Sequence, residues 1–541
     1  MISSPWWRHG VIYQVYLRSF ADGNGDGTGD IAGLRSRLDY LRGLGVDGLW
    51  INPWYLSPLH DGGYDVADYR DIDPRFGTLE EATDLIAEAR RLGLEVMVDL
   101  VPNHTSSEHP WFRAALASPP GSPERARYHF RPGTGAGGAM PPNDWRSVFG
   151  GPAWTQVPDG DWYLHLFDVT QPDLNWANPE VRSEFRDILR FWLDRGASGF
   201  RVDVAHGLAK DPDYPDLGHV DDLLTSHAGA NHPYWDRPQL HEIVKEWRSV
   251  VDEYPGRAMV AEAWVDTWAH LALYLRPDEY HQAFDFEFLM SPWEPSVLKA
   301  GIVSALAAAS SVGSVPTWVL SNHDVVRHTT RYGLPQGIDS RTWLLEGDRG
   351  LLDSGAGTRR ARAALLLELA LPGSVYLYQG EELGLPEVFD LPLDVLDDPV
   401  WDRSGHKLKG RDGSRVPIPW TVDGASHGFG DDGSWLPQPA GWGERSVEAQ
   451  EGVAESMLEL YREALSIRRS RLTHDESLEW LDLGADVLAF RRAGTVTVVV
   501  NFGTEPVPIP GGEILLVSGD PGTAMLTTDT AAWIGSGSGP E

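Results

Sequence analysis

At 541 residues, with 42% hydrophobic and 23% charged residues, the chain is too long for one core and has the composition of a globular protein with a large domain and one or two satellites. Its formal charge of −34 is spread along the chain with no basic cluster, which argues against nucleic acid or an anionic membrane as partner and for a neutral substrate. The absence of cysteine excludes disulfides, thiolate metal sites and cysteine nucleophiles.

No signal-peptide pattern opens the chain, and no run of about 18 apolar residues could span a membrane, so a cytoplasmic protein acting on a small imported molecule is expected. Nothing in the sequence fixes an oligomeric state. Apolar β-forming runs at 11–16, 48–51 and 95–101 come first, and an amphipathic helical pattern lies at 79–89. Between the first two runs, Asp22, Asn24, Asp26, Thr28 and Asp30 place oxygen donors at alternating positions, as an EF-hand loop begins. Gly33 stands where that loop would need its bidentate Glu, so this is not an EF-hand.

After His104 the next barrel-like run is delayed by roughly seventy residues rich in Pro, Gly and Trp, which reads as an excursion over the mouth of the main domain. A helical pattern at 181–194 then leads into strand-like runs at 199–204, 258–263, 283–289, 317–320 and 374–378. Eight strands with helical crossovers predict an α/β fold, a (β/α)8 TIM barrel with its active site at the C-terminal face of the strands. An open doubly wound sheet competes, but no Gly-rich phosphate loop follows the first strand. Beyond a helical stretch at 455–470, residues 487–501 read as a hairpin with a Gly turn. The expected organisation is a barrel from 1–104 and 173–470, an inserted subdomain over the mouth at 105–172, and a C-terminal antiparallel, sandwich-like β domain at 471–541.

Three of the strand-like runs end on a carboxylate: Asp203 after Gly199-Phe200-Arg201-Val202, Glu262 after Met259-Val260-Ala261, and Asp324 after Leu320-Ser321-Asn322-His323. Parallel strands carry reacting groups at such ends. A pair of carboxylates can support an oxocarbenium-like transition state at a glycosidic bond, about 5 Å apart if configuration is retained. Arg201, two residues before Asp203, projects to the same side and is expected to keep that carboxylate charged. Glu262, beside Ala261 and Trp264, is expected to be poorly solvated and to hold a proton.

In order and context, the segments 99–104, 199–203, 262–264 and 322–324 resemble the signature regions of the α-amylase superfamily, glycoside hydrolase family 13. Gln171-Pro172-Asp173-Leu174-Asn175-Trp176 is similar to the additional signature of its α-glucosidase and oligo-1,6-glucosidase branch. The resemblance covers essentially the whole chain. It implies a retaining, exo-acting α-glucosidase with Asp203 as nucleophile, Glu262 as general acid/base and Asp324 as the third, stabilising carboxylate. It further implies that His104 and His323 bind sugar hydroxyls, that Tyr64 and Asp65 grip the terminal glucose, and that Arg411 pairs with that Asp65 carboxylate. Asp99 is read as structural. By the same resemblance the 22–30 loop is a structural calcium site, with Asp22, Asn24, Asp26 and Asp30 as side-chain ligands and Thr28 through its carbonyl.

In this family a Val after the nucleophile, here Val204, accompanies α-1,6 cleavage, yet Ala205-His206-Gly207 departs from the usual 1,6 pattern. Cleavage of maltose-like α-1,4 substrates is therefore the expectation. Transglucosylation competes with hydrolysis at the covalent intermediate, and oligo-1,6-glucosidase activity, or a sucrose- or trehalose-type glucosyl transferase or isomerase, are the alternatives on the same acids. A non-catalytic relative or a carbohydrate-binding module would not need all three.

Overall fold

The computed structural model describes residues 5–218, 232–473, 475–520 and 524–535. Eight parallel strands form one sheet: β1 (Val11–Val15), β2 (Gly48–Ile51), β3 (Glu95–Leu100), β4 (Gly199–Val202), β5 (Ala258–Ala261), β6 (Gln282–Ala283), β7 (Thr317–Val319) and β8 (Ser374–Tyr378). Their order is β6-β5-β4-β3-β2-β1-β8-β7, and a parallel bridge from Phe284 to Thr317 joins the two ends into a barrel. All eight strands are almost wholly buried, which is why they read as continuous apolar runs rather than alternating ones.

Successive side chains of a strand point to opposite faces, so each strand contributes alternately to the barrel lumen and to the layer under the helices. Ile12, Trp50, Met97, Val260, Phe284, Val319 and Tyr376 form one apolar cluster of their own, with a member on or beside seven of the strands. Register places Arg201 of β4 opposite Val260 of β5 and Asp99 of β3. The remaining strand, β4, therefore puts a guanidinium into the layer that the other seven fill with hydrocarbon.

Helices cover the outside, and their ends carry the expected signals. Thr78 and Glu81 make a reciprocal capping box at the start of Leu79–Arg91. Asn178 caps Pro179–Asp194, whose first residue is the proline that this position tolerates. The predicted sixth strand is corrected. Only Gln282–Ala283 is strand, because Asp285 accepts the Phe288 N–H and starts a short helix, Phe286–Met290, in the middle of the apolar run 283–289.

The chain leaves the barrel at Asn103-His104 and returns at Asp173-Leu174, where bridges tie His104 to Asp173 and Tyr128 to Leu174. Between them lie a helix, Pro110–Ala117, and a three-stranded antiparallel sheet with Asp161–Leu164 between Phe130–Pro132 and Trp154–Gln156. Near the C-terminus five antiparallel strands, β9 (Leu478–Leu481), β10 (Val487–Arg492), β11 (Val496–Asn501), β12 (Glu513–Val517) and β13 (Thr530–Gly535), run in the order β9-β10-β11-β13-β12. One face rests on the helix Ser354–Ala370, where Trp533 Nε1 donates to the Leu366 carbonyl at 2.9 Å. A two-stranded ladder, Val507–Pro508 with Met525–Leu526, covers part of the other. Among the described residues no helix is long and apolar enough to cross a membrane.

Candidate active site

Asp203 and Glu262 sit one residue past β4 and β5, and the barrel ladder itself fixes them. Asp203 N–H donates to the Leu100 carbonyl at 2.9 Å, and Glu262 N–H to the Val202 carbonyl at 3.0 Å. Asp324 lies five residues past β7, where its own N–H donates to Asn322 Oδ1 at 2.8 Å. The three carboxylates share one pocket with Tyr64, His104, His323 and Arg411.

Arg201 holds the first two acids together. Its Nη1 donates to Asp203 Oδ1 at 2.7 Å and Asp99 Oδ1 at 2.9 Å, and its Nη2 to Glu262 Oε2 at 2.6 Å. Burial pushes the Asp203 carboxyl well above the usual carboxylate range; Arg201 opposes this, while Glu262 and Asp99 add to it. Both carboxylates therefore meet one guanidinium, Asp203 through Nη1 and Glu262 through Nη2. The surroundings of Glu262 are not the apolar isolation expected from Ala261 and Trp264. Besides Arg201, Glu262 Oε2 accepts from Val204 N–H at 3.0 Å, and Oε1 accepts from Trp264 Nε1 at 3.0 Å. The guanidinium that was to keep Asp203 alone ionised is divided among three carboxylates.

The second guanidinium, Arg411, also grips three. Its Nε donates to Asp398 Oδ2 at 2.6 Å, Nη1 to Asp324 Oδ1 at 3.0 Å and Nη2 to Asp61 Oδ1 at 2.7 Å. The expected partner, Asp65, is elsewhere. Fully buried, Asp65 accepts from Ser57 Oγ at 2.9 Å and from the His60 and Asp61 N–H groups at 3.0 and 3.2 Å, organising the loop that presents Asp61. Burial lifts Asp65 to about 6, against the hydrogen bonds it accepts from His60, Ser57 and Asp61. Asp61 is thus the pocket carboxylate and Asp65 its support. Only the loop's fold says which of the two faces inward.

Asp324 is held well below the usual carboxylate range. Burial alone would raise it; His323 and the guanidiniums of Arg411, Arg415 and Arg201 lower it. Burial keeps the His323 imidazole neutral, so the arginines supply the charge at neutral pH. Arg415 was missed in the sequence although it stands four residues after Arg411; its Nη2 donates to Asp324 Oδ1 at 3.0 Å.

Tyr64 stacks on His323 with ring centroids 5.2 Å apart and an interplanar angle of 9°, and its hydroxyl donates to Asp99 Oδ2 at 3.1 Å. Asp99 is buried and also accepts from Trp50 Nε1 at 2.9 Å, so its place is beneath the site, between Arg201 and Tyr64. Asn103 Nδ2 donates to His104 Nδ1 at 3.1 Å, which leaves His104 Nε2–H to donate to the Tyr64 carbonyl at 3.1 Å. Gln171 Nε2 donates to Asp61 Oδ2 at 3.0 Å, and Asp173 pairs with the buried Lys210 at 2.8 Å. The 171–176 signature therefore braces Asp61 and the loop after β4. Phe149 and Phe167, from the excursion, complete the wall, with Arg411 over the Phe149 ring at 5.2 Å.

The 22–30 loop is folded on itself. Asp22 Oδ1 accepts from Asn24 and Gly25 N–H, Asn24 Oδ1 from Asp26 N–H, Asp26 Oδ1 from Thr28 N–H, and Asp30 Oδ1 from Gly23 and Gly33 N–H. Among the described residues no three His, Cys, Asp or Glu side chains converge as a ready metal cage. The donors are all oxygens, and each of Asp26 and Asp30 spends one carboxylate oxygen on the backbone, so the set suits a hard cation such as Ca²⁺ and no softer metal.

The alpha-amylase family, described as "Alpha amylase, catalytic domain", matches residues 14–475 of this chain. A probable alpha-glucosidase from Rhizobium meliloti is 38% identical over 507 residues, 90% of this chain and 87% of that protein. An oligo-1,6-glucosidase from Parageobacillus thermoglucosidasius is 35% identical over 541 residues, 93% of this chain and 91% of that protein. Among solved structures, the alpha-glucosyl transfer enzyme XgtA superposes with a TM-score of 0.84 at 35% identity, covering 98% of this chain and 100% of that one. The trehalulose synthase MutB from Pseudomonas mesoacidophila gives 0.85 at 32% identity, with coverage of 98% and 100%. The chain therefore belongs to the α-amylase family, glycoside hydrolase family 13, and is a glycoside hydrolase with α-glucosidases among its relatives.

Proposed function

We propose that this enzyme is a retaining, exo-acting α-glucosidase that removes terminal α-linked glucose from small maltose-like oligosaccharides. The observation that carries this reading is the Asp203–Glu262 pair, joined through the two Nη nitrogens of Arg201, in a pocket that also holds Asp324. An inverting enzyme needs its carboxyls far enough apart to admit a water molecule between base and sugar, whereas two carboxylates seated on the two Nη nitrogens of one guanidinium are held close together. Asp203 attacks C1 while the proton on Glu262 passes to the leaving oxygen; Glu262 then takes a proton from water, whose oxygen displaces Asp203 from C1. Asp324, ionised at every physiological pH, grips the sugar as positive charge develops at C1. The Asp61–Arg411 ion pair bridges the loops after β2 and β8 and stops a second sugar extending past the terminal glucose.

The first-formed anomer is the test. Proton NMR of the early hydrolysis of p-nitrophenyl α-glucoside, in which the only sugar released is the transferred glucose, is expected to show α-glucose first, and β-glucose first would overturn retention. Asp203→Asn is expected to lower kcat by on the order of 10⁴-fold or more. A second reading, α-1,6 cleavage, is favoured by Val204, whose side chain lines the pocket beside Glu262. Faster glucose release from isomaltose than from maltose would establish it.

We also propose Ca²⁺ in the 22–30 loop as a structural ion, held by Asp22, Asn24, Asp26 and Asp30 with the Thr28 carbonyl. The reaction is carried by carboxylates and does not pass through it. Millimolar CaCl₂ is expected to raise Tm by mass action and EDTA to lower it, and neither should shift Asp26→Ala.

A further inference from the structure

The Lys210 side chain, 1% exposed, lies on the loop after β4, and no step of the reaction uses it. Its ammonium has three protons, and three acceptors take them: Asn103 Oδ1 at 2.8 Å, Asp173 Oδ2 at 2.8 Å and the Gly207 carbonyl. An ammonium only donates and a carboxylate only accepts, so these two neighbours fix which way the Asn103 amide faces. Its oxygen meets Lys210, and its Nδ2 then lies 3.1 Å from both Asp173 Oδ2 and His104 Nδ1.

That orientation matters because His104 stands between two amides. Asn103 Nδ2 approaches the imidazole at Nδ1, and Gln171 Nε2 approaches it at Nε2, each at 3.1 Å. The Gln171 amide is fixed as well, with Oε1 accepting the Asp168 N–H at 2.9 Å. Burial keeps His104 neutral, and a neutral imidazole has one bare nitrogen, so it accepts from only one of the two. With Asn103 held as it is, Nδ1 accepts and the proton sits on Nε2, which donates to the Tyr64 carbonyl at 3.1 Å. Were the Asn103 amide turned over, the proton would move to Nδ1 and Nε2 would accept from Gln171.

The choice reaches the pocket. Gln171 Nε2 lies 3.0 Å from Asp61 Oδ2 as well as 3.1 Å from His104 Nε2, so these two pocket groups are neighbours. An Nε2–H beside a carboxylate offers one donor and one acceptor, which a single sugar hydroxyl can satisfy at once. The other tautomer sets two acceptors side by side, and a hydroxyl with one proton leaves one of them unmet.

We infer that Lys210 is a positioning residue for sugar binding: it holds the Asn103 amide in the one orientation that keeps the His104 proton on Nε2. The sugar-binding half of this rests on the α-glucosidase reading; the tautomer does not.

Nitrogen NMR of enzyme labelled with 15N-histidine reads the tautomer, because protonated and bare ring nitrogens resonate far apart; His104 is identified by its loss in His104→Gln. Wild type is expected to carry the proton on Nε2. Lys210→Met alone would strand the buried Asp173 carboxylate, so both charges are removed in Lys210→Met/Asp173→Asn. The amide introduced at 173 keeps the Leu166 N–H on its oxygen and turns its NH2 toward Asn103, which flips to accept it. The His104 proton is then expected on Nδ1. KM for p-nitrophenyl α-glucoside should rise about tenfold, one hydrogen bond's worth, with kcat little changed. In the His104→Gln background, which has no tautomer to choose, the same two substitutions should leave KM unmoved. An unchanged tautomer in the folded double variant, or an equal rise in KM in both backgrounds, would overturn the inference. If the double variant does not fold, Asn103→Asp decides, since a carboxylate there only accepts: a proton on Nδ1 supports the inference, and one still on Nε2 overturns it. Wild-type enzyme that left the glucoside intact would end the glucosidase reading, and the tautomer would still decide the role of Lys210.

Discussion

Two arginines organise this pocket, each against three carboxylates, and the aspartates Asp203 and Asp324 beside them are shifted in opposite directions. Arg201 faces Asp99, Asp203 and Glu262; Arg411 faces Asp61, Asp324 and Asp398. Around Arg201 there is no second cation in the contact set, and burial wins: Asp99 is lifted to about 6 and Asp203 rises well above its ordinary value. Around Arg411 stands Arg415, which reaches the same Asp324 oxygen, and the charges win: Asp324 and Asp398 are both lowered. One additional guanidinium decides whether a cluster of buried acids keeps a proton or loses it. An acid/base pair needs a proton to move, and a group that stabilises positive charge must never hold one.

The two centres also differ in what positions them, and that predicts the largest effects. Arg201 is part of the barrel sheet, 2% exposed, and has no substitute. Arg201→Met leaves three buried carboxylates unpaired and is expected to cost about 3–5 kcal/mol, read as a fall in the urea midpoint. Arg411→Met leaves Arg415 beside Asp324 and should cost clearly less. Equal losses would mean that Arg415 does not act as the spare cation.

The next test separates the two aspartates of the 57–65 loop. Asp61→Ala is expected to lower kcat/KM for maltose by about 10- to 100-fold, the worth of a charge-assisted contact to Arg411 and sugar, with Tm little changed. Asp65→Ala should do the reverse, lowering Tm through three lost acceptor contacts while the properly folded fraction keeps its KM. If Asp65→Ala raised KM and Asp61→Ala did not, the pairing seen here would be wrong.

That pair also marks where the sequence stops being legible. The barrel was readable because its strands are buried on both faces and so appear as near-continuous apolar runs, three of them leading into a carboxylate at the catalytic face. Asp203 and Glu262 were readable because they sit one residue past such runs. Asp61 was not, because it lies in a turn that reverses direction through Gly62 and Gly63, both at positive φ, and no periodicity survives such a turn. The sixth strand was misread for a similar reason: Phe286–Met290 is as apolar as a strand, and one capping aspartate converts it to helix. Glu262's surroundings were misjudged because its donors, the Val204 N–H and the Trp264 indole, are set by backbone direction, not by residue type.

The opposite protonation of the two centres gives stability curves of opposite sign. Asp324 has a folded pKa below its unfolded value of about 3.9, so it contributes stability above that pH, and the contribution is lost as pH falls through the folded pKa. Asp203 has a folded pKa above its unfolded value, so its contribution is complete below the unfolded pKa and is lost as pH rises towards and through the folded one. Asp324→Asn should therefore be less stable than wild type at pH 7, with the difference shrinking in acid. Asp203→Asn should gain on wild type as the pH rises from 4 to 8. Differential Tm curves of the same slope would break the contrast.

The smallest effect lies at Val204, where the sequence predicts strand and the chain turns instead. β4 ends at Val202, and Val204 takes φ of +44°, a left-handed conformation that costs a β-branched residue about 1–2 kcal/mol. What the turn provides is direction. With Val204 in this conformation its N–H meets Glu262 Oε2, and the Ala205 N–H reaches the Glu262 carbonyl at 2.8 Å, so the backbone after the nucleophile grips the acid/base twice. Strain of this kind persists only where the surroundings over-determine it. Comparing Val204→Gly with Val204→Ala isolates the strain, because both lose the isopropyl group and only glycine accepts positive φ freely. In ordinary helix or strand interiors glycine is the less stable of the two by roughly 0.5–1 kcal/mol. Here the order should invert by about 1 kcal/mol, measured by chemical denaturation. If alanine were the more stable, the turn would be relaxed, and the two N–H contacts to Glu262 would come without cost.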